Sequence, residues 1–326
     1  MTPHFQITAN GRSITSAINE HLISLSITDK RGFEADDLSI TFADPEQRFA
    51  LPTTGAALRC SIGLSPSQLV NKGSFTVDDV NLDGPPDVIT ITARSVDFAK
   101  AMKEGRDQSF SGKTIGEIFE SLADKSGLTP RIADDLRDIV IDHLDQTNES
   151  AANLITRLGQ SYDAIAQIKD GHLLFMPRAK GRTVSGQSLP GLAIAYTGIE
   201  RFRYTNAARQ TDYTGVEAIW HNQATAETLR ERAGTKGNIK TLRETYPTRE
   251  EALAAAQSAF RDLKRKEKSM SVTLSPGNPI ALPDQPVFLS GFRNELNRIK
   301  WISGDITHTL TTGGLKTEIQ LEEIFI

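Results

Sequence analysis

The stretch from Lys72 to Phe98 constrains the fold of this chain more than any other. Phe75 and Val77 alternate with Ser74, Thr76 and Asp78, and Ile89, Ile91 and Ala93 alternate with Thr90, Thr92 and Arg94. A period of two is the spacing of a strand with one buried face. Between the runs lies Asp83-Gly84-Pro85-Pro86-Asp87. Its prolines have no amide to give to a ladder and its glycine admits positive φ, so pairing must stop there and the chain must turn. Strands with one wet face bury the other against a second sheet or close on themselves, so sandwich or barrel is the local expectation.

The same grammar fills the first hundred residues. Phe5, Ile7 and Ala9 alternate up to Asn10-Gly11, a strong hairpin signal, and Ile14 resumes on the return. Ile23, Leu25 and Ile27 follow, then Leu38, Ile40 and Phe42, then Leu58, Cys60 and Ile62. After Phe98 the pattern changes. Thr114-Ile115-Gly116-Glu117 reads as a capping box ahead of Ile115, Ile118, Phe119 and Leu122 at helical spacing. A second helix is expected from about Ser150, with Leu154, Ile155, Leu158 and Tyr162 on one stripe. It leads into a hairpin over Ile165–Ile168, Asp170-Gly171 and Leu173–Met176.

Pro177 to Pro190 has few apolar anchors and reads as an exposed linker. Strands then return at Phe202 and Tyr204, at Val216, Ala218 and Trp220, and at Met270, Val272 and Leu274. They close the chain at Trp301-Ile302, Ile306–Leu310 and Leu315–Leu321, across a Gly313-Gly314 turn. One helix interrupts them: Thr248-Arg249-Glu250-Glu251 caps it, and Arg261, Lys264, Arg265, Lys266 and Lys268 crowd its end, which suits the helix dipole. The expected class is α+β, mainly β. The expected division is a barrel-type domain over 1–105, an inserted α+β domain over 106–180, a linker over 181–190, and a second barrel-type domain over 191–326 carrying a helix at about 249–268. No sequence repeat is visible.

Several of these blocks resemble the late control gene D family of contractile-tailed phages. They are Lys72–Val80, Gly84–Asp87, Ile89–Phe98, Ala35–Phe42, Thr114–Ile118 and Asp145–Ser150, in order over the first 180 residues. The remainder matches more loosely. The resemblance implies a tail (baseplate) hub, a virion structural protein with two barrel domains similar to a tail tube protein and a central α+β part decorating them. It implies a homotrimer that joins the trimeric tail spike protein to the hexameric tail tube protein among other baseplate proteins, placed in the virion tail and in host cytoplasm during assembly. The alternatives it leaves open are the hub part of a type VI secretion spike or another contractile injection system, and a cell-wall hydrolase hub.

Composition limits the other classes. At 326 residues the chain exceeds one ordinary core, and 38% apolar content with 6% aromatic is enough for packed domains. A net charge of −4 argues against a nucleic-acid regulator, which wins affinity by releasing phosphate counterions with Lys and Arg. The single cysteine, Cys60, reads as a small apolar strand residue. The start Met1-Thr2-Pro3-His4 lacks the pattern of a signal peptide, and no apolar run suits a membrane helix, so the chain reads as soluble.

Chemical motifs are approached and not completed. Gly112-Lys113-Thr114 resembles the tail of a phosphate loop, but Asp107 stands where its first glycine is needed. Asp142-His143-Leu144-Asp145 offers metal-ligand types, yet His143 lies between the aspartates in parity and Asp145 reads as part of a turn before a helix. Gly63-Leu64-Ser65-Pro66-Ser67 is not a nucleophile elbow, since proline follows the serine and the closing glycine is missing. Asp78, Asp79, Asp83 and Asp87 could suggest paired carboxylates for glycoside hydrolysis but read as a solvated strand edge. The Arg261–Lys268 cluster reads as dipole compensation rather than a phosphate or membrane site, and Trp220 and Trp301 as sheet packing. The expectation is no catalytic residue, no cofactor and no metal.

Overall fold

The computed structural model describes residues 3–95, 100–169, 171–207, 213–222 and 225–325, with the side chains of 100 and 101 left aside. The expected strand end at Val96–Phe98 and Asp170 of the expected hairpin turn lie outside these residues.

Seven strands come first: β1 (His4–Ala9), β2 (Arg12–Ser13), β3 (Leu22–Asp29), β4 (Asp37–Ala43), β5 (Ala57–Gly63), β6 (Val70–Asp83) and β7 (Val88–Ser95). Five follow: β8 (Gly105–Thr114), β9 (Thr129–Ile132), β10 (Val140–Ser150), β11 (Ala164–Lys169) and β12 (His172–Pro177). Nine complete the chain: β13 (Leu192–Ala195), β14 (Ile199–Asn206), β15 (Gly215–Asn222), β16 (Glu227–Gly234), β17 (Ile239–Tyr246), β18 (Lys268–Leu274), β19 (Pro286–Ser290), β20 (Trp301–Thr311) and β21 (Gly314–Glu323). The long helices are Ile115–Asp124, Ala151–Tyr162 and Arg249–Arg265.

The anchoring hairpin is formed as its alternation requires. β6 and β7 pair antiparallel from Phe75↔Ser95 to Asp83↔Val88, with a bulge between Val77 and Asp79. Phe75, Val77, Ile89, Ile91 and Ala93 are buried while Asp78, Asp79 and Asn81 face solvent. Asn10 and Gly11, at φ 48° and 80°, turn β1 into β2.

The strand-rich parts are not separate sheets. One thirteen-stranded sheet runs β14-β18-β21-β20-β3-β4-β7-β6-β5-β1-β2, with β19 on β20 and β13 on β19. The two parts meet where β20 pairs antiparallel with β3, from Ile306↔Asp29 to Thr311↔Ser24. Two cores lie along the sheet. One holds Phe5, Ile40, Phe75 and Ile91 and takes in Leu310 and Leu315 from the far end of the chain, and the other holds Leu192, Val272, Trp301 and Ile319. Among the described residues no ladder closes the first part on itself, because the edge of β3 that would do so is taken by β20.

The order of strands repeats. The first part runs β3-β4-β7-β6-β5-β1 and the last runs β14-β18-β21-β20-β19-β13, so each strand of one has a counterpart at the same place in the other. Details of register repeat too. The β3/β4 ladder slips by one residue between Leu22 and Ser24, and the β14/β18 ladder between Ile199 and Arg201. One exception stands: β13 runs parallel to β19, whereas β1 runs antiparallel to β5.

The middle region has a third core around Ile115, Phe119, Leu154, Leu173 and Phe175. Thr114 accepts from Glu117 N while the Glu117 carboxylate accepts from Thr114 N, so the capping box is present in full. β11 and β12 form the expected hairpin, and β9 adds parallel to β12. Two expectations are corrected. Asp145 lies inside β10, which pairs with β8, rather than in a turn before a helix. Val216, Ala218 and Trp220 lie on β15, which forms a three-stranded sheet with β16 and β17 instead of joining the large one. The helix Arg249–Arg265 covers that small sheet, burying Val216 and Ala218 against Ala252 and Ala256. Alternation identifies a strand but not its neighbour.

Candidate functional site

The residues singled out by their chemistry are dispersed, and most are engaged in structure. Lys113 Nζ pairs with Glu117 Oε1 at 2.7 Å, i to i+4 on an exposed surface, and the strand carrying Gly112 is antiparallel to β10. A phosphate loop needs a strand feeding a helix through a loop of free amides; here the capping box consumes the first of those amides. His143 Nε2 lies 3.0 Å from Asp145 Oδ2, and Ser109 and Ser111 hydroxyls bond the same two side chains. The serine and the imidazole hold the Asp145 carboxyl below its usual range. Both side chains are more than half exposed, and among the described residues no group of three His, Cys, Asp or Glu is placed to hold a metal.

Beside this pair, a cleft of about 290 Å³ opens between β10, the helix Ala151–Tyr162 and β17, lined among others by Arg157, Tyr162, Tyr246 and Glu251. Burial raises the Glu251 carboxyl and pushes the Tyr246 hydroxyl up to about 12. The acids of the hairpin also have local roles: Asp78 lies 3.3 Å from Arg94, Asp79 accepts from Asn81, and Asp87 from Gln47. Ser65 and Ser67 contact each other in an exposed turn.

The basic helix end does more than compensate a dipole. Arg261 and Arg265 both bind Asp163, the residue at positive φ that ends the helix Ala151–Tyr162, and Arg178 reaches Asp262 at 3.2 Å. Lys266 pairs with Asp262 and Lys268 with Glu323. The cluster therefore fastens the late helix to the middle region. Trp301 is buried with its Nε1 donating to Leu296 O at 3.0 Å, and Trp220 packs over the small sheet.

Sequence reasoning missed two ionic clusters at the β3/β20 junction. In the first, Lys72 Nζ donates to Asp29 Oδ2 at 3.0 Å and to His308 Nε2 at 2.8 Å. The other imidazole nitrogen lies 2.9 Å from Thr317 Oγ1. All four residues are buried. Burial keeps His308 below its usual value and so neutral, which makes Nε2 the acceptor and Nδ1 the donor. Burial works against the Asp29 carboxylate, but the Lys72 ammonium that donates to it holds its pKa low. In the second, Arg31 in the loop after β3 binds Asp284 through Nε at 2.6 Å and Glu322 at 2.7 Å, and its amide donates to Asp305. Only a lysine at an inward strand position could have signalled the first cluster, and the sequence does not tell which parity is inward at Lys72.

What remains outward is surface and edge. The serine–imidazole–carboxylate contact of Ser111, His143 and Asp145 lies on an exposed strand surface, and among the described residues strand edges and exposed apolar side chains such as Leu82, Phe202 and Phe288 are abundant. No family model matches the chain. Its sequence is 33% identical to a protein of Escherichia phage 186 named "Probable baseplate hub protein", over 99% of this chain and 93% of that protein. Identity to the protein of the same name from Escherichia phage P2 is also 33%, with the same coverage. In fold it is similar to the tail protein from Neisseria meningitidis MC58, at a TM-score of 0.74 and 14% identity over 99% of this chain and 97% of that one. It is also similar to an E. coli component of the type VI secretion system, at a TM-score of 0.54 and 8% identity over 99% of this chain and 77% of that one. The near full-length identity to the two phage proteins shows that the chain belongs to the family of phage baseplate hub proteins, structural components of the virion tail.

Proposed function

We propose that the protein is a non-enzymatic homotrimeric hub that joins a trimeric spike to a hexameric tail tube, assembling in host cytoplasm before it enters the virion. The observation that carries this reading is the repeated strand order in one continuous sheet. A sixfold tube and a threefold spike need an adaptor that presents six similar contacts on one face and three on the other. Three chains, each with two similarly ordered strand units, supply both. On this reading residues 1–105 and 191–326 are the two barrel-type units, 106–180 decorates them, and the ionic clusters around Lys72 and Arg31 fix the angle between the units.

Light scattering on the purified protein, alone and with its spike, tests the reading. The expected mass is three times the 35.7 kDa chain; a stable dimer or tetramer in the presence of spike overturns it. A peptidoglycan zymogram is expected to stay uncleared, and clearing would replace the structural role with a hydrolytic one.

A further inference from the structure

The repeat leaves one junction filled and its counterpart empty. Within the chain, the late half of β20 pairs with β3. The counterpart of β20 in the first unit is β6, and the counterpart of β3 in the last unit is β14. Among the described residues, β6 from Asp78 to Asp83 pairs only with β7, since β5 reaches no further than Thr76. Among the described residues β14 likewise pairs only with β18 and ends the sheet. Both free edges are exposed strands offering main-chain donors and acceptors. The geometry points to a second copy of this chain as the occupant, with β6 of one copy pairing antiparallel with β14 of the next.

The bulges set the register. The β6/β7 bulge lies between Val77 and Asp79 and the β20/β21 bulge between Ser303 and Ile306. Across each, three residue steps on one strand span two on the other, Val77 to Val80 against Ala93 to Ile91 and Ser303 to Ile306 against Leu321 to Ile319, so Val80 corresponds to Ile306. The bulges at Leu22/Ser24 and Ile199/Arg201 align Leu25 with Phe202, Ile27 with Tyr204 and Thr28 with Thr205. Carrying the β20/β3 pairs across gives Val80 opposite Asn206, Asn81 opposite Thr205, Leu82 opposite Tyr204 and Asp83 opposite Arg203 of the neighbouring copy.

The chemistry suits these pairs. Leu82, 51% exposed, and Phe202, 39% exposed, would both gain apolar cover on the core side. Asp83 meets an arginine, and opposite charges directly across a ladder stabilise it. Asn81 and Thr205 take the place of Thr307 and Thr28, whose hydroxyl oxygens stand 3.1 Å apart in the filled junction. Such a contact is head to tail, and with the threefold rotation of the proposed trimer it closes a ring rather than running on as a filament. This inference rests on the homotrimer proposed above and names the surface that builds it.

The test is Asn81→Cys with Thr205→Cys in the full chain under mild oxidation, with Thr28→Cys and Thr307→Cys as the intrachain control. Cys60 does not interfere, being buried with its thiol pushed up to about 12. The expected product is a reducible ladder ending at a closed covalent trimer. A second measurement uses charge: Asp83→Arg or Arg203→Asp alone should weaken association roughly tenfold, and the double exchange should restore it. A native trimer that does not cross-link, and is indifferent to the charge variants, overturns this junction and leaves the trimer standing. Cross-linking into a ring of another number supports the junction and overturns the trimer. A chain that neither associates nor cross-links overturns both.

Discussion

At the scale of single residues, the buried Asp29–Lys72–His308–Thr317 cluster is the most consequential feature, because four strands meet on it. Lys72 comes from β6, Asp29 from β3, His308 from β20 and Thr317 from β21. Removing one partner of a buried pair leaves the other charge uncompensated, so Lys72→Met should cost about 3–5 kcal/mol in urea unfolding. Pairing it with Asp29→Leu should recover most of that loss, since apolar replacement of a whole pair is often neutral. His308 adds a pH dependence. Its folded-state value lies below the usual 6.5, so the unfolded chain takes up the proton first as pH falls. Stability from this source is therefore full above about 6.5, is lost below it, and levels off once pH passes beneath the folded value. Unfolding midpoints measured across that window should flatten in His308→Gln; an unchanged slope would assign the effect elsewhere.

At the scale of elements, caps and ion pairs divide by burial. Thr114 caps the helix Ile115–Asp124 through a reciprocal pair of bonds, and Thr114→Ala should cost about 1 kcal/mol by thermal unfolding. Lys113→Ala removes only an exposed pair, both of whose members are about half solvated, and should change stability by less than about 0.5 kcal/mol and leave assembly intact. The same is expected of alanine at Asp142, His143 and Asp145, checked by elemental analysis and by the mass of the assembled particle; loss of a bound metal would reveal a site. Asp163→Ala differs, because Arg265 is buried and would lose its carboxylate. Hydrogen exchange should then rise along the helix Arg249–Arg265 ahead of the rest of the chain.

At the scale of the whole molecule, the β3/β20 ladder makes the two strand-rich parts one sheet although some 280 residues separate Thr28 from Thr307. Such a ladder is satisfied only when both ends of the chain are folded, so the two parts should unfold in a single transition. Hydrogen exchange that releases β4 and β7 well before β18 and β21 would show that the junction does not couple them. A contact of that sequence separation also predicts slow folding, since loop closure precedes any gain from it.

The sequence by itself determined the elements. Alternation placed β3 to β7, β18, β20 and β21, the Thr114 and Thr248 caps placed the helices, Asn10-Gly11 and Gly313-Gly314 placed hairpin turns, and the shared blocks pointed to the tail hub family. These are legible because period, cap and turn are set by neighbours within a few residues. Only the tertiary structure decided which strands are partners. It moved Val216–Trp220 into a sheet of their own, drew Leu310 and Leu315 into the first core, and exposed a repeat in strand order that no stretch of residues spells out. A strand carries on each edge the same amides and carbonyls whatever its neighbour, so its sequence records which face is buried and leaves the partner to the assembled chain.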